Sequence, residues 1–136
     1  MFAELLAHPG VEEVVELRGP FGFMAYHGGS LEEATDVIAR AAAEASGASY
    51  YGVHQPADLQ WHIPSTQIDP AESSALAAFL DHVEQVITIH GYGRHGWWAR
   101  LLVGGAAGRP GARPAGGCRR RRAAGPTSRA GRSHGW

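Results

Sequence analysis

The sequence predicts an α/β fold with a mostly parallel or mixed sheet flanked by helices. Short apolar segments such as 21–26 and 86–89 alternate with segments whose apolar residues recur at helical spacing. The apolar segments show little alternation with polar residues, which is typical of strands buried on both faces of a parallel sheet. A chain of 136 residues forms one domain at most.

The first two strands are predicted from β-branched and apolar residues. Residues 2–8 are a short helical or irregular lead-in that a Pro-Gly pair ends. Residues 11–18 combine β-branched residues with imperfect alternation, which favours an edge strand. After a Gly-Pro turn, residues 21–26 are apolar throughout and predict a buried strand.

A helix is predicted to follow this strand. Ser30 and Glu33 fit a capping box, with Ser30 as N-cap and Glu33 at the third helical position. Gly47 is a suitable C-terminal stop. The residues at helical spacing that predict its buried face are Leu31, Ala34, Val37, Ile38 and Ala41.

The remaining elements continue the alternation of strands and helices. Residues 50–53 and 59–63 are predicted to be extended. An Asp-Pro pair opens a second helix that is predicted over 69–84. Residues 86–89 are predicted as a buried strand and 99–103 as a further strand.

Composition excludes several classes of protein. No apolar run approaches the ~18 residues of a membrane helix, and the N-terminus lacks the features of a signal peptide. We therefore expect a cytoplasmic protein without a membrane partner. Cys118 is the only cysteine, so no intramolecular disulfide can form.

Charge divides the chain into two unlike parts. Residues 1–103 carry four arginines and 13 acidic residues, a formal charge of −9, whereas residues 104–136 carry eight arginines and no acid. Residues 104–136 also contain no Leu, Ile, Val, Phe or Tyr, which predicts a disordered tail. We interpret the tail as the product of a frame slip in a GC-rich gene. The alternative is a basic patch that binds nucleic acid or an acidic partner.

Three side chains form a candidate metal site. His27 and Glu32 lie five residues apart after residues 21–26, and His90 follows a second apolar segment. Ligands bind beyond the carboxyl ends of the strands in such sheets, so we expect these side chains to converge. Two histidines and a glutamate are a donor set that zinc accepts. The spacing also permits locally hydrogen-bonded histidines and an ordinary acidic residue at a helix start.

Four motifs resemble those of the poly-γ-glutamate hydrolase family, phage-related and bacterial zinc hydrolases. They are AYHGGSLEEATDVIARAAA, WHIPSTQID, ITIHGYG and LLVGG, and the resemblance covers residues 11–105. The resemblance implies a carboxypeptidase-like core and one Zn²⁺ held by His27, Glu32 and His90. It also implies hydrolysis of γ-glutamyl amide bonds in a polymer or peptide substrate.

Two further residues match family motifs. His62 lies in WHIPS, which resembles the family's His-Ile-Thr-Ser element and implies that His62 lines the substrate cleft; a half-exposed strand histidine is the alternative. Arg94 follows HGYG and is a candidate to bind a substrate carboxylate or an oxyanion. The alternative for Arg94 is a solvated loop arginine.

The chain departs from the family pattern after LLVGG. The resemblance places a catalytic glutamate on a late strand, but no Asp or Glu follows Glu84. We therefore predict that the general base is absent, that the sheet is incomplete at the C-terminus, and that the domain of residues 1–103 is a partial, inactive hydrolase. Two other functions stay open: a nucleic-acid-binding protein that uses the arginine-rich tail, and a non-catalytic metal-binding module.

Overall fold

A four-stranded mixed sheet forms the centre of the part of the chain that the computed structural model describes, residues 1–92 and Gly104. Its strands are β1 (Glu12–Glu16), β2 (Phe21–Gly29), β3 (Ser49–Gln55) and β4 (Gln85–Thr88), in the spatial order β1-β3-β2-β4. Strand β2 pairs in parallel with β3 and with β4, and β1 pairs antiparallel with β3. The predicted α/β class, the buried strand at β2 and the edge position of β1 are confirmed.

Three α-helices and two short 3₁₀ turns surround these strands. The helices are α1 (Phe2–Leu6), α2 (Thr35–Ser46) and α3 (Ser74–His82), and the turns are Ser65–Gln67 and Pro70–Glu72. Helix α2 connects the parallel strands β2 and β3 and ends at Gly47, whose φ of 69° gives the predicted left-handed stop. In residues 1–92 and at Gly104, no helix is long and apolar enough to cross a membrane.

The two faces of the sheet pack against different side chains. Met24 and Ala25 are neighbours on β2 and therefore point to opposite faces. Met24 belongs to a cluster of large buried residues: Phe2, Leu5, Met24, Tyr26, Tyr51, Val53, Ile63, Leu76 and Phe79. Ala25 belongs to a cluster of mainly small residues: Ala25, Ala39, Ala43, Ala48 and Tyr50. The small residues let α2 approach the sheet closely.

The predicted start of the first long helix is wrong. Helix α2 begins at Thr35, and its N-cap position is Ala34 with a φ of 66° and no side-chain cap. The Ser30 hydroxyl instead donates to the carbonyl oxygens of Pro56 and Leu59, each at 2.6 Å. Because Ser30 binds the segment after β3, it is not available to cap a helix.

The predicted buried face of α2 is also wrong. Val37 and Ile38 are 65% and 54% exposed, whereas Ala39 and Ala43 are fully buried. Residues two apart on a helix point in widely different directions, so a helix that packs through its alanines must expose Val37. The alanine-lined contact with Ala25 decides the orientation.

Two other elements differ from the sequence predictions. The Asp69-Pro70 pair opens only the 3₁₀ turn, and α3 begins later with Ser73 as its N-cap, which accepts the N–H of Leu76 at 3.0 Å. Residues 59–63 form no strand. Strand β4 was predicted to be buried but is half-exposed, because it lies at the edge of the described part of the sheet. The strand predicted over 99–103 lies outside the described residues.

Candidate metal centre

His27 lies on a bulge of β2. Ala25 and Gly28 are separated by two residues on β2, but only Val53 separates their partners on β3. Tyr26 and His27 therefore oppose the single residue Val53, which is the arrangement of a β-bulge. Bulges of this kind redirect side chains next to functional sites.

The bulge changes which face of the sheet each later residue of β2 occupies. By regular alternation Gly28 would share the face of Met24. A Cβ on Gly28 would instead lie 2.5 Å from the Cβ of Asp36 on α2. His27 consequently points away from α2, and its Nε2 donates to the carbonyl oxygen of Ile63 at 2.8 Å. Only 2% of His27 is exposed.

His27 and Glu32 form a close pair. The N–H of Glu32 donates to the carbonyl oxygen of His27 at 2.8 Å, and the Nδ1 of His27 lies 3.1 Å from the Oε1 of Glu32. Because the carbonyl of Ile63 can only accept, Nε2 of His27 carries a hydrogen and Nδ1 faces the carboxylate. Two atoms bound tetrahedrally to one zinc lie about 3.3 Å apart. The pair is therefore already spaced as two zinc ligands would be.

The turn between the two residues is fixed by its packing. Gly29 has a φ of 74°, and a Cβ there would lie 2.2 Å from the carbonyl oxygen of Gln55. The carboxylate of Asp36 accepts from the N–H of Gly29 and lies 2.8 Å from the Nδ1 of His54. Burial alone would raise the pKa of Asp36, but its hydrogen bonds with His54 and with backbone N–H groups outweigh burial and lower that pKa.

His62 reaches the same place from the segment after β3. Its ring centroid lies 4.7 Å from that of His27. One ligand atom each from His27, Glu32 and His62 lie within 4.8 Å of one another. In the described part of the chain, these three residues are the group that could hold a metal ion, and Glu32 is its single carboxylate.

His90 contacts the other oxygen of Glu32. The Oε2 of Glu32 lies 3.4 Å from the Nδ1 of His90 and accepts the N–H of Gly91 at 2.9 Å. The Nε2 of His90 lies 3.4 Å from the hydroxyl of Ser65, and the rings of His27 and His90 are 5.4 Å apart. His90 follows β4 closely and is 40% exposed at its side chain. Both carboxylate oxygens of Glu32 thus face an imidazole.

Comparison with known families identifies the chain. A family model described as poly-gamma-glutamate hydrolase matches residues 3–112. The chain belongs to the poly-γ-glutamate hydrolase family. The match confirms the resemblance on which the site residues were predicted. No curated protein and no solved structure gives a significant match.

In this member of the poly-γ-glutamate hydrolase family, the structure brings together four of the five candidate site residues that the sequence predicted. His27 and Glu32 form the close pair, His62 completes the group within 4.8 Å, and His90 contacts Glu32 from the opposite side. Arg94 lies outside the described residues. The assignment of His27, Glu32 and His90 as zinc ligands and of His62 to the substrate cleft stays a prediction.

Gln55 supports this site, although no sequence pattern indicated it. Its side chain is fully buried and forms two hydrogen bonds of 2.9 Å with the backbone of Trp61. Trp61 directly precedes His62. In the sequence alone, Gln55 looks like an ordinary polar residue at the end of an apolar strand, because Trp61 becomes its neighbour only when the chain folds back.

Proposed function

We propose that the chain binds one zinc ion and hydrolyses γ-glutamyl amide bonds. Membership of the poly-γ-glutamate hydrolase family supports the reaction. The observation that carries the metal proposal is the His27–Glu32 pair, with Nδ1 and Oε1 at 3.1 Å in a nearly buried setting. Its substrate would be a γ-glutamyl polymer or peptide, consistent with the family description.

The chemistry of the side chains fits zinc. Imidazole nitrogen and carboxylate oxygen are both good zinc ligands, and the resemblance adds His90 to His27 and Glu32. The hydrogen bond from Nε2 of His27 to the carbonyl oxygen of Ile63 fixes the ring and leaves Nδ1 as the nitrogen that can bind a metal. Zinc-bound histidines commonly donate their other ring N–H in this way. When bound, zinc would polarise the scissile carbonyl and lower the pKa of a bound water.

Substrate recognition needs positive charge, because a γ-glutamyl polymer is anionic and residues 1–103 carry a formal charge of −9. We propose that Arg94 binds a substrate carboxylate through its guanidinium group. His62 is more than a third exposed beside the His27–Glu32 pair and would border the cleft. Arg94→Gln should therefore raise KM more than it lowers kcat.

A non-catalytic metal-binding module is the second candidate function. The sequence contains no Asp or Glu after Glu84, and Glu32 is the single carboxylate in the described metal-compatible group. If Glu32 binds the ion, no second carboxylate of that group can act as general base. For this second candidate we expect slow or absent turnover. For both candidates we propose a cytoplasmic protein that uses no nucleic acid.

Metal content and activity test both candidates. Zinc per chain would be measured by mass spectrometry for the wild type, a His27→Ala/His90→Ala variant and a His8→Ala control. Release of amino groups from poly-γ-glutamate would be measured on the same samples. About one zinc, lost only in the double variant, with hydrolysis supports the hydrolase. Zinc without hydrolysis supports the binding module. Zinc retained in the double variant, or absent from the wild type, overturns both.

A further inference from the structure

The segment that carries His62 is fixed on both sides of this residue. On one side, Gln55 binds the N–H and the carbonyl oxygen of Trp61 at 2.9 Å each. On the other side, Ile63 is buried to 1% exposure, and its carbonyl accepts from Nε2 of His27. The backbone of His62 is therefore held relative to His27, although the segment has no regular secondary structure.

Both ring nitrogens of His62 are available to bind a metal, because neither forms a hydrogen bond with another residue in 1–92 or with Gly104. Its ring lies 4.7 Å from that of His27, and a ligand atom on it lies within 4.8 Å of those on His27 and Glu32. Closing such a distance to the ~3.3 Å between atoms on one zinc requires only a small rotation of an exposed side chain.

We propose that His62 supplies a fourth protein donor to the zinc ion, beside His27, Glu32 and His90, and that Gln55 positions it. The inference rests on the proposed zinc site and gives His62 a different role from that of a residue bordering the substrate cleft. Three protein donors leave a zinc position open for water, whereas four close a tetrahedral site. A bound His62 would thus favour metal retention over turnover.

Ring-nitrogen NMR tests the donor directly. Histidine ¹⁵N spectra of the full chain would be recorded before and after one equivalent of zinc, with the His62 signals assigned by their loss in His62→Ala. We expect one ring nitrogen of His62 to shift on zinc addition, while those of His8 do not. Unshifted His62 nitrogens in a zinc-loaded protein would overturn the proposal.

Zinc affinity provides a second readout, measured by competition with a chromophoric chelator. His62→Ala should weaken binding by at least about tenfold, whereas His8→Ala should leave it unchanged. Equal affinities for His62→Ala and the wild type would refute the donor role. If His27→Ala abolishes binding while His62→Ala does not change it, this inference fails and the proposed function stands. If the wild type binds no zinc, both fail.

A double-mutant cycle separates positioning by Gln55 from general support of the fold. Gln55→Met removes both hydrogen bonds to Trp61 and should weaken zinc binding in the wild type but not in the His62→Ala background. Equal losses in both backgrounds would show that Gln55 does not act through His62. Gln55→Glu, which keeps the acceptor for the Trp61 N–H, provides the same comparison if Gln55→Met does not fold.

Discussion

The two sides of the candidate site are built differently. The strand side, His27 and Glu32, is joined by a backbone hydrogen bond and an Nδ1–Oε1 contact of 3.1 Å, with side-chain exposures of 3% and 15%. The loop side, His62 and His90, comes from irregular segments, and His90 is 40% exposed. Buried, doubly held groups keep their geometry without a ligand. We infer that the strand side anchors the ion and that the loop side adjusts to it.

Disrupting the turn of the strand side should have the largest effect. Gly29→Ala places a Cβ 2.2 Å from the Gln55 carbonyl oxygen at a φ of 74°, which should cost about 2–4 kcal/mol in the free energy of unfolding. Urea unfolding measures this cost. Gly47→Ala is the matched control, because its φ is 69° but nothing lies within 4 Å; about 1–2 kcal/mol is expected. Equal costs at both positions would show that the contact with Gln55 carries no strain.

A smaller change should act on Glu32 without unfolding the chain. A Cβ on Gly91 would lie 3.1 Å and 3.2 Å from Cβ and Cγ of Glu32, so Gly91→Ala should displace the carboxylate and weaken zinc binding about tenfold. Gly104→Ala, where a Cβ would meet nothing within 4 Å, is the control for calorimetric zinc titration. If Gly91→Ala binds zinc as tightly as the wild type, a change on the loop side does not disturb Glu32 on the strand side.

Asp36 supports the turn at Gly29 and should make the free energy of unfolding depend modestly on pH. The pKa of Asp36 is lowered in the folded chain, so its contribution to stability is present above the ordinary aspartate pKa of about 3.9. That contribution is lost as the pH falls through the folded-state value. Asp36→Asn should remove about 1 kcal/mol at pH 7 and flatten the loss of stability below pH 4.

Thermal unfolding between pH 3 and pH 7 provides the measurement for Asp36. The exposed Asp58→Asn variant is the control and should keep the wild-type pH dependence. A steep acid loss that persists unchanged in Asp36→Asn would assign the effect to other carboxylates.

Local signals in the sequence predicted the strand side well. The apolar residues of β2 and the stop at Gly47 depend on neighbours in the chain, and the family motifs added the roles predicted for His27 and Glu32. The bulge at Tyr26 and His27 could not be predicted, because a register shift depends on pairing with β3. It is the feature that turns His27 towards Ile63.

Competition between distant partners explains the failed predictions. Ser30 has the sequence of a helix cap, but its hydroxyl binds two carbonyl oxygens that only the folded chain brings near. Val37 and Ile38 are more apolar than the alanines that α2 buries, yet only the alanines permit close contact with Ala25. Tertiary packing overrode local propensity at both places. For the same reason, no sequence pattern indicated that Gln55 supports His62.

Zinc binding by Glu32→Gln tests the central claim that the strand side anchors the ion. Gln keeps the shape of Glu32 but removes its charge. Within the described residues, Glu32 is the single carboxylate in the group of His27, Glu32 and His62 that could hold a metal ion. Native mass spectrometry at one equivalent of zinc would compare it with the wild type and with Glu33→Gln, the exposed neighbour. We predict about one zinc in the wild type and in Glu33→Gln, and none in Glu32→Gln. Equal zinc loading of all three proteins would contradict the account.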